Sequence, residues 1–322
     1  SDAATFIIDD RLFYIGGYVF DLFYLELGQG PFQLLNPPFY LVRSDMAELY
    51  VNGHGNAVVV NQTAIIFTAD FTTDNRVFLR INIGPDPVSY KFIKRNETQN
   101  SNISPGGGRP KAVVDKNGLI YMWFTPDKLS SASSSDENLY IFDTTKYSWS
   151  TVEPPYKQTA NSGVDDVIIY DTVKGTWLNQ STTGTAEFAF QCMNGQLYNN
   201  KILCYDSNTN TLNVLNISSF AWSVHNVSDP SNNVVPLFNL VGSGAINVYQ
   251  DWMIFSFNFG RIKSENRFLF VMSLANEKYE WISSTSTIPL VKDPNQSPPP
   301  RNNTIHSGGC GMFHANLYAA YG

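Results

Sequence analysis

Four histidines, three cysteines and a scatter of carboxylates are the groups through which this chain of 322 residues could do bond-making chemistry. His54, His225, His306 and His314 are widely separated, and only the last two approach a spacing at which neighbours share a metal, so no metal site is expected. Asp9-Asp10 and Asp165-Asp166 could form acid–base pairs. Adjacent carboxylates on a strand point to opposite faces, however, and both pairs read better as turn and strand-edge residues. No Gly-x-Ser-x-Gly elbow, phosphate-binding glycine loop or His-Glu-x-x-His occurs, which removes the usual warrants for nucleophilic and metal-hydrolase chemistry. Gly106-Gly107-Gly108 precedes no helix that could receive a phosphate, so it is a connector.

Polar groups gather instead in three long connections, residues 68–76, 125–138 and 258–267. They carry Asp70, Asp74, Arg76, Asp127, Lys128, Asp136, Glu137, Arg261, Lys263 and Glu265. Charges of both signs on long loops suit recognition of a partner, since loops vary while the elements between them are held by packing.

The elements that must carry these loops are strands. Residues 138–153 read as a β-hairpin: the run Leu139-Tyr140-Ile141-Phe142, the turn formers Asp143-Thr144-Thr145-Lys146, then a strand alternating large apolar with small polar residues. The pattern recurs at 166–181 and 211–226, each time with Trp ten positions after the first strand residue and six after an Asp or Asn. A looser copy spans 267–283 with Trp281. Four of the six tryptophans therefore occupy one position of a repeat, which assigns them to packing rather than to a carbohydrate platform. Trp123 and Trp252 fall in inner strands and are expected to be buried. Repetition at this period is the signature of a repeat architecture.

Four-strand units cover most of the chain. The first uses residues 4–8, 11–17, 22–27 and 32–35; the second 57–60, 64–67, 77–81 and 89–93; the third runs from 111 into the first hairpin. The fourth is incomplete, because residues 154–165 are too few for two inner strands and their turn, which need roughly 15 to 20. A fifth resumes with a strand at 187–192, a turn at 193–200 and a strand at 201–205; a sixth begins at 245. Residues 291–303 form a Pro/Asn-rich linker, and the tail 304–322 offers one more inner strand pair with no outer hairpin after it. The fold class is all-β: a propeller of about six blades of four antiparallel strands over 1–290, with seven as the alternative if the tail pairs with the N-terminal region.

Leu12-Phe13-Tyr14-Ile15-Gly16-Gly17, followed by an outer strand, an Asp turn and a Trp strand, resembles the kelch repeat. Arg109 and Gly53-His54, each just ahead of an inner strand, occupy kelch-like positions. Blade spacing and the Pro-rich segment look most similar to fungal secreted or cell-surface kelch-repeat proteins, related at fold level to the galactose-oxidase central domain. The paired glycines survive only at Gly16-Gly17, with Thr68-Ala69, Phe124-Thr125 and Ser256-Phe257 in their place elsewhere. The resemblance implies the fold and an alternative activity, a copper-radical oxidase acting on alcohols or aldehydes. Such an oxidase needs a Tyr–Cys crosslink, a second Tyr and two His, for which His54, His225 and a Tyr are the only candidates.

Composition narrows the setting. Hydrophobic residues make up 43 % and aromatics 14 % against 15 % charged, which fits a packed β protein and not a disordered chain. The net charge of −7 and the lack of a basic stripe argue against nucleic acid. No apolar run reaches a membrane-spanning helix, and the sequence begins at Ser1 without a signal peptide, as a mature form would. Cys192 and Cys204, placed on adjacent strands of one blade, could form a disulfide, leaving Cys310 odd. Asn61, Asn96, Asn102, Asn179, Asn216, Asn226 and Asn302 begin glycosylation triplets that fall mostly at turns; Asn295 is weakened by Pro298. The expectation is a monomeric, non-catalytic extracellular or cell-surface module without cofactor, binding a protein or glycan through its loop face.

Overall fold

Alternating residues of each central strand serve two different cores, and that division generates the architecture. The computed structural model describes residues 3–16, 22–27, 40–43, 56–67, 76–83, 88–103, 109–125, 138–155, 166–186, 195–207, 209–230, 245–258, 267–282, 311–313 and 316–320. Its strands form six sheets, and the protein is an all-β propeller. The first sheet contains β1 (Ala3–Ile8), β2 (Arg11–Gly16), β3 (Leu22–Glu26) and β4 (Tyr40–Arg43) in that order. The second contains β5 (Asn56–Val60), β6 (Thr63–Phe67), β7 (Arg76–Asn82) and β8 (Ser89–Lys94). The third contains β9 (Arg109–Val114), β10 (Leu119–Thr125), β11 (Leu139–Asp143) and β12 (Ser148–Val152). The outer strand of the first sheet is thus β4, whereas the expected strand at 32–35 lies outside the described residues.

The fourth sheet corrects the sequence reading. Its outer strands are β13 (Asp166–Asp171) and β14 (Thr176–Ser181), and among the described residues no inner pair directly precedes them. The pair is supplied from the far end of the chain by β24 (Gly311–Phe313) and β25 (Asn316–Ala320), giving the order β14-β13-β25-β24. β25 runs antiparallel to β13 with Val167 opposite Ala320 and Asp171 opposite Asn316. A strand edge left bare in the middle of a ring would leave backbone donors and acceptors unsatisfied, and the tail satisfies them. The fourth blade is therefore complete, and the tail pairs with β13 rather than with the N-terminal region as a seventh blade required.

The fifth sheet holds β15 (Thr183–Gly184), β16 (Gln196–Tyr198), β17 (Lys201–Asp206), β18 (Thr211–Asn216) and β19 (Ala221–Asn226). The partner of β17 is 196–198, where a turn over 193–200 was expected, because the turn is the two-residue Asn199-Asn200 with φ of 44° and 63°; the expected strand at 187–192 lies outside the described residues. Two left-handed residues in a two-residue loop match the twist of a hairpin and fix its register. Asp9-Asp10, with φ of 48° and 58°, do the same in the first sheet. The sixth sheet is β20 (Ala245–Tyr249), β21 (Trp252–Asn258), β22 (Arg267–Ser273) and β23 (Glu280–Ile282). The inner strands touch in the cyclic order β1, β5, β9, β24, β16, β20 and back to β1, which closes the ring.

Between neighbouring sheets lie the hydrophobic cores. Ala64 and Ile66 of β6 pack toward the first sheet with Ile15 and Leu22, while Ile65 and Phe67 pack toward the third with Met122 and Phe142. In β17, Ile202 and Cys204 join Val167 and Ile169 of the fourth sheet, and Leu203 and Tyr205 join Phe255 and Phe270 of the sixth. Both faces of a central strand are buried, so these strands read as continuous apolar runs without polar alternation.

The recurrent hairpin has a local explanation. Asp143 Oδ1 accepts from the backbone N–H groups of Thr145 (2.8 Å) and Lys146 (3.0 Å). Asp171 does so from Val173 and Lys174, and Asn216 from Ser218 and Ser219. The fifth turn residue is left-handed each time: Tyr147, Gly175 and Phe220 at φ of 53°, 67° and 52°. The carbonyls of Tyr147 and Phe220 then receive a backbone clasp from the segment that follows the preceding sheet's outermost strand. Gln99 N–H donates to Tyr147 O (2.7 Å) and Trp149 N–H returns to Gln99 O (3.1 Å). Thr183 N–H donates to Phe220 O, and in the looser copy Ser228 N–H donates to Tyr279 O with Trp281 N–H returning to Ser228 O. The clasped strand is the Trp strand, and its tryptophan fills the cleft toward the same preceding sheet, as Trp149 does beside Phe78 and Phe142.

Two tests follow from this arrangement. Truncation before Gly311 exposes the inner edge of β13 and is expected to give an aggregating protein; adding the 305–322 peptide during refolding should restore a monomeric elution volume. Gly184 is left-handed (φ +86°), and a Cβ there would run into the Trp222 carbonyl oxygen. Gly184→Ala should therefore lose about 1–3 kcal/mol in denaturant unfolding, with Gly175→Ala, which meets only open space and the Tyr170 hydroxyl at 3.8 Å, losing less.

Candidate functional site

Strand order gives the ring two chemically different faces. Tight inner turns and outer Asp/Asn turns emerge on one face, and the connections from second to third strand emerge on the other. The expected recognition residues belong to that second face by topology. Asp70, Asp74, Asp127, Lys128, Asp136, Glu137, Arg261, Lys263 and Glu265 themselves lie outside the described residues. Arg76 opens β7, its backbone paired with Lys94 next to a bulge between Arg76 and Phe78. His54, His306, His314, Cys192, Cys310 and Asn302 also lie outside the described residues.

The tight-turn face is described in side-chain detail, and its polar groups join neighbouring sheets. Tyr198 ends β16 and donates its hydroxyl to Asp251 Oδ1 in the next sheet's turn (2.6 Å). Tyr249 ends β20 and donates to Asp10 Oδ1 (2.7 Å), and Gln62 Nε2 donates to Asp9 Oδ1 (2.9 Å). Asn247 Nδ2 donates to Thr5 Oγ1 between β20 and β1. Asp9 and Asp10 are turn residues that hold the ring, not an acid–base pair. The sequence signal for this ring of bonds is a Tyr directly before a two-residue turn, in Tyr198-Asn199-Asn200 and Tyr249-Gln250-Asp251, and it was not read.

His225 is the one histidine with a described environment. It lies on the outermost antiparallel strand of the fifth sheet, half-buried and edge-on to Tyr279 at 4.9 Å between ring centres. Burial pushes its pKa down, against a smaller upward pull from Glu277. Its Nε2 is 2.9 Å from Ser223 Oγ, a contact of the length used to activate a nucleophile. Among the described residues no carboxylate is hydrogen-bonded to its other ring nitrogen, so nothing orients the ring as a base. A groove of about 420 Å³ runs here between the fifth and sixth sheets, lined by His225, Asn226, Glu277, Lys278 and Glu280. Glu277 is held by Lys201 Nζ at 2.6 Å, and that bond keeps its carboxyl below the ordinary range. Among the described residues no three His, Cys, Asp or Glu side chains come together to hold a metal.

Cys204 is disulfide-bonded and buried. Asn61, Asn96, Asn102, Asn179 and Asn226 are exposed. Asn216 is only half-exposed, and its side-chain oxygen is committed to its turn. Trp123 and Trp252 are half-buried rather than buried; Trp123 packs edge-on to Trp177. No described helix is long and apolar enough to cross a membrane.

No protein-family model and no curated protein matches the chain. Among solved structures it is similar to a chain of the crystal structure of a nidogen/laminin complex, at 10 % identity and a TM-score of 0.32, over 86 % of this chain and 77 % of that one. It is also similar to apo AztD from Citrobacter koseri, at 12 % identity and a TM-score of 0.34, over 69 % and 71 % of the two chains. Neither likeness is close enough to carry an argument about function.

The turns make stability depend on pH at both extremes. The Thr145 hydroxyl, followed by the backbone N–H groups of Lys146 and Thr145, holds the Asp143 carboxyl well below its usual range; Asp171 is lowered chiefly by the Lys174 N–H. A lowered folded pKa contributes stability above the unfolded value near 4 that is lost as pH falls through the folded value. Tyr249 is pushed up to about 12, first by burial and then by its bond to Asp10. Its neutral form is favoured in the fold, so this contribution is intact below about 10 and lost as pH rises through about 12. The unfolding midpoint should fall on both limbs, with Asp143→Asn flattening the acid limb and Tyr249→Phe the alkaline limb.

Proposed function

We propose that this protein is a non-catalytic recognition module of the kelch-like kind, acting as a monomer outside the cell or at its surface. It binds a protein or glycan partner through the face on which the connections 68–75, 126–138 and 259–266 emerge. One observation carries the reading: on the opposite face the inner turns are tied to their neighbours by bonds between sheets, Tyr198–Asp251, Tyr249–Asp10 and Gln62–Asp9. A scaffold whose turns are committed to closing the ring has its longer connections free for recognition. The disulfide at Cys204 and the exposed glycosylation triplets at Asn61, Asn96, Asn102, Asn179 and Asn226 support an oxidising, glycosylating compartment. The oxidase alternative draws no support from the described ligand candidates. Cys204 is committed to a disulfide and unavailable for a crosslink to Tyr, and His225 packs against Tyr279 on an outermost strand.

The reading is tested by binding of the intact protein to a glycan array and to surface-protein extracts, with two variants in parallel. Replacing Asp70, Asp74, Arg261 and Lys263 together by Ala should weaken capture of any partner about tenfold or more, since rim charges contribute steering as well as contact. Replacing Lys278 and Glu280 by Ala should leave capture unchanged. The opposite pattern overturns the assignment of the face.

A further inference from the structure

A cation stands where the strand pattern calls for a core residue. In β7, Phe78 and Arg80 are two apart and share a face. Phe78 is buried in the core between the second and third sheets, but the next residue on that face is Arg80. Arg80 is half-buried and lines a cavity of about 130 Å³ between those sheets. The walls are Val60, Ile65, Phe78 and Phe142, and the polar groups at the rim come from Asn61, Thr63, Thr144 and Tyr147. One guanidinium nitrogen, Nη1, donates to the Tyr147 hydroxyl at 2.7 Å. Among the described residues no carboxylate pairs with Arg80.

Tyr147 is itself unusual. It is a bulky residue held at φ 53°, and its backbone carbonyl is fixed by the clasp from Gln99. That conformation places its ring near Phe78 and Phe142, at centre distances of 6.5 and 6.1 Å, and its hydroxyl against the guanidinium. Strain of this kind persists only where the surroundings enforce it. The guanidinium has five N–H donors in a planar fork, so the bond to Tyr147 leaves donors for a second partner. A cavity with an apolar floor, a polar rim and one oriented guanidinium at its wall is matched by a carboxylate on a short apolar stem.

We propose that the cavity between the second and third sheets binds a monocarboxylate of about five or six heavy atoms, the size its volume admits, with Arg80 holding the carboxylate and Tyr147 positioning Arg80. The ligand's chemistry is common to a free short-chain carboxylic acid and to a Glu or Asp side chain of a protein partner. The site is on the tight-turn side of the ring and does not rest on the loop-face reading.

The test is a titration of the intact protein with isobutyrate, with its neutral isostere isobutyramide, and with a capped peptide containing Glu or Gln at one position, followed through the ring resonances of labelled tyrosines. Isobutyrate or the Glu peptide should bind saturably and shift Tyr147, with the matching amide weaker by about tenfold, as loss of a charge-assisted pair requires. Arg80→Gln should weaken the acid to the level of the amide. Arg80→Lys, which keeps the charge without the fork, should also weaken it and serves if Arg80→Gln does not fold. The tighter of the two acids identifies the source, free acid or partner side chain. Equal binding of acid and amide, undiminished binding to both Arg80 variants, or no saturable binding of either acid would overturn the proposal.

Discussion

Closure of the ring depends on the pairing of β13 with β25. Without it the fourth sheet is a two-stranded hairpin, and isolated hairpins are marginal in water. The inner strand β24 would also be missing between β9 and β16, its neighbours on the two sides. The packing of Tyr121 against Tyr170 and of Val167 against Ile202 would then rest on an unsupported ribbon. A closed ring has no tolerance for a missing sector, because each sheet's faces are buried only by the sheets beside it.

Around that ring the same solution is used repeatedly with different side chains. An Asp or Asn oxygen organises the outer turn, a left-handed residue ends it, and at Tyr147 and Phe220 the carbonyl so exposed accepts a bond from the segment leading in from the preceding sheet. Tyr147 and Phe220 occupy a conformation that glycine would adopt without strain, as Gly175 does. Part of the cost is met because their carbonyls are bonded to the incoming segments at Gln99 and Thr183 and their rings are packed. In the sixth sheet Trp281 gains a further bond to Asn210 Oδ1, which also accepts from the Tyr205 hydroxyl. Asn210 thus ties a turn of the fifth sheet to the outer strand of the sixth.

Much of this was legible in the residues. The six-position interval from Asp143 to Trp149, and its copies, marked a turn and a packed aromatic, and the structure assigns both roles. The shortage of residues between 153 and 166 marked a missing inner pair, and the surplus strands in the tail were visible too. Their pairing with each other was not legible, because β-strand partners are chosen by backbone groups that every residue possesses. The fifth sheet's turn was drawn too long, over 193–200, for a related reason: Asn199-Asn200 is a strong two-residue turn signal, but the short run Gln196-Leu197-Tyr198 ahead of it is inconspicuous as a strand. Of the candidate site, charge could be assigned to loops and loops to a face. Arg80 escaped notice because a single cation within Val-Phe-Leu-Arg-Ile reads as an ordinary surface position until the neighbouring sheet is in place.

The sequence distance between Val167 and its partner Ala320 gives this propeller a characteristic order of events. Hairpins within each sheet join near neighbours and form early, whereas the closing pair brings together segments separated by nearly half the chain. The entropic cost of closing so long a loop grows only logarithmically, so closure is thermodynamically mild. The kinetic position is different: until Asn316–Ala320 arrives, the growing protein carries the bare edge of β13 and a gap between two hydrophobic cores. The interval before closure is the period in which chaperone capture or self-association competes with folding. Substitutions at Asn316–Ala320 would accordingly act on the yield of folded protein more than on the melting behaviour of molecules that have already closed.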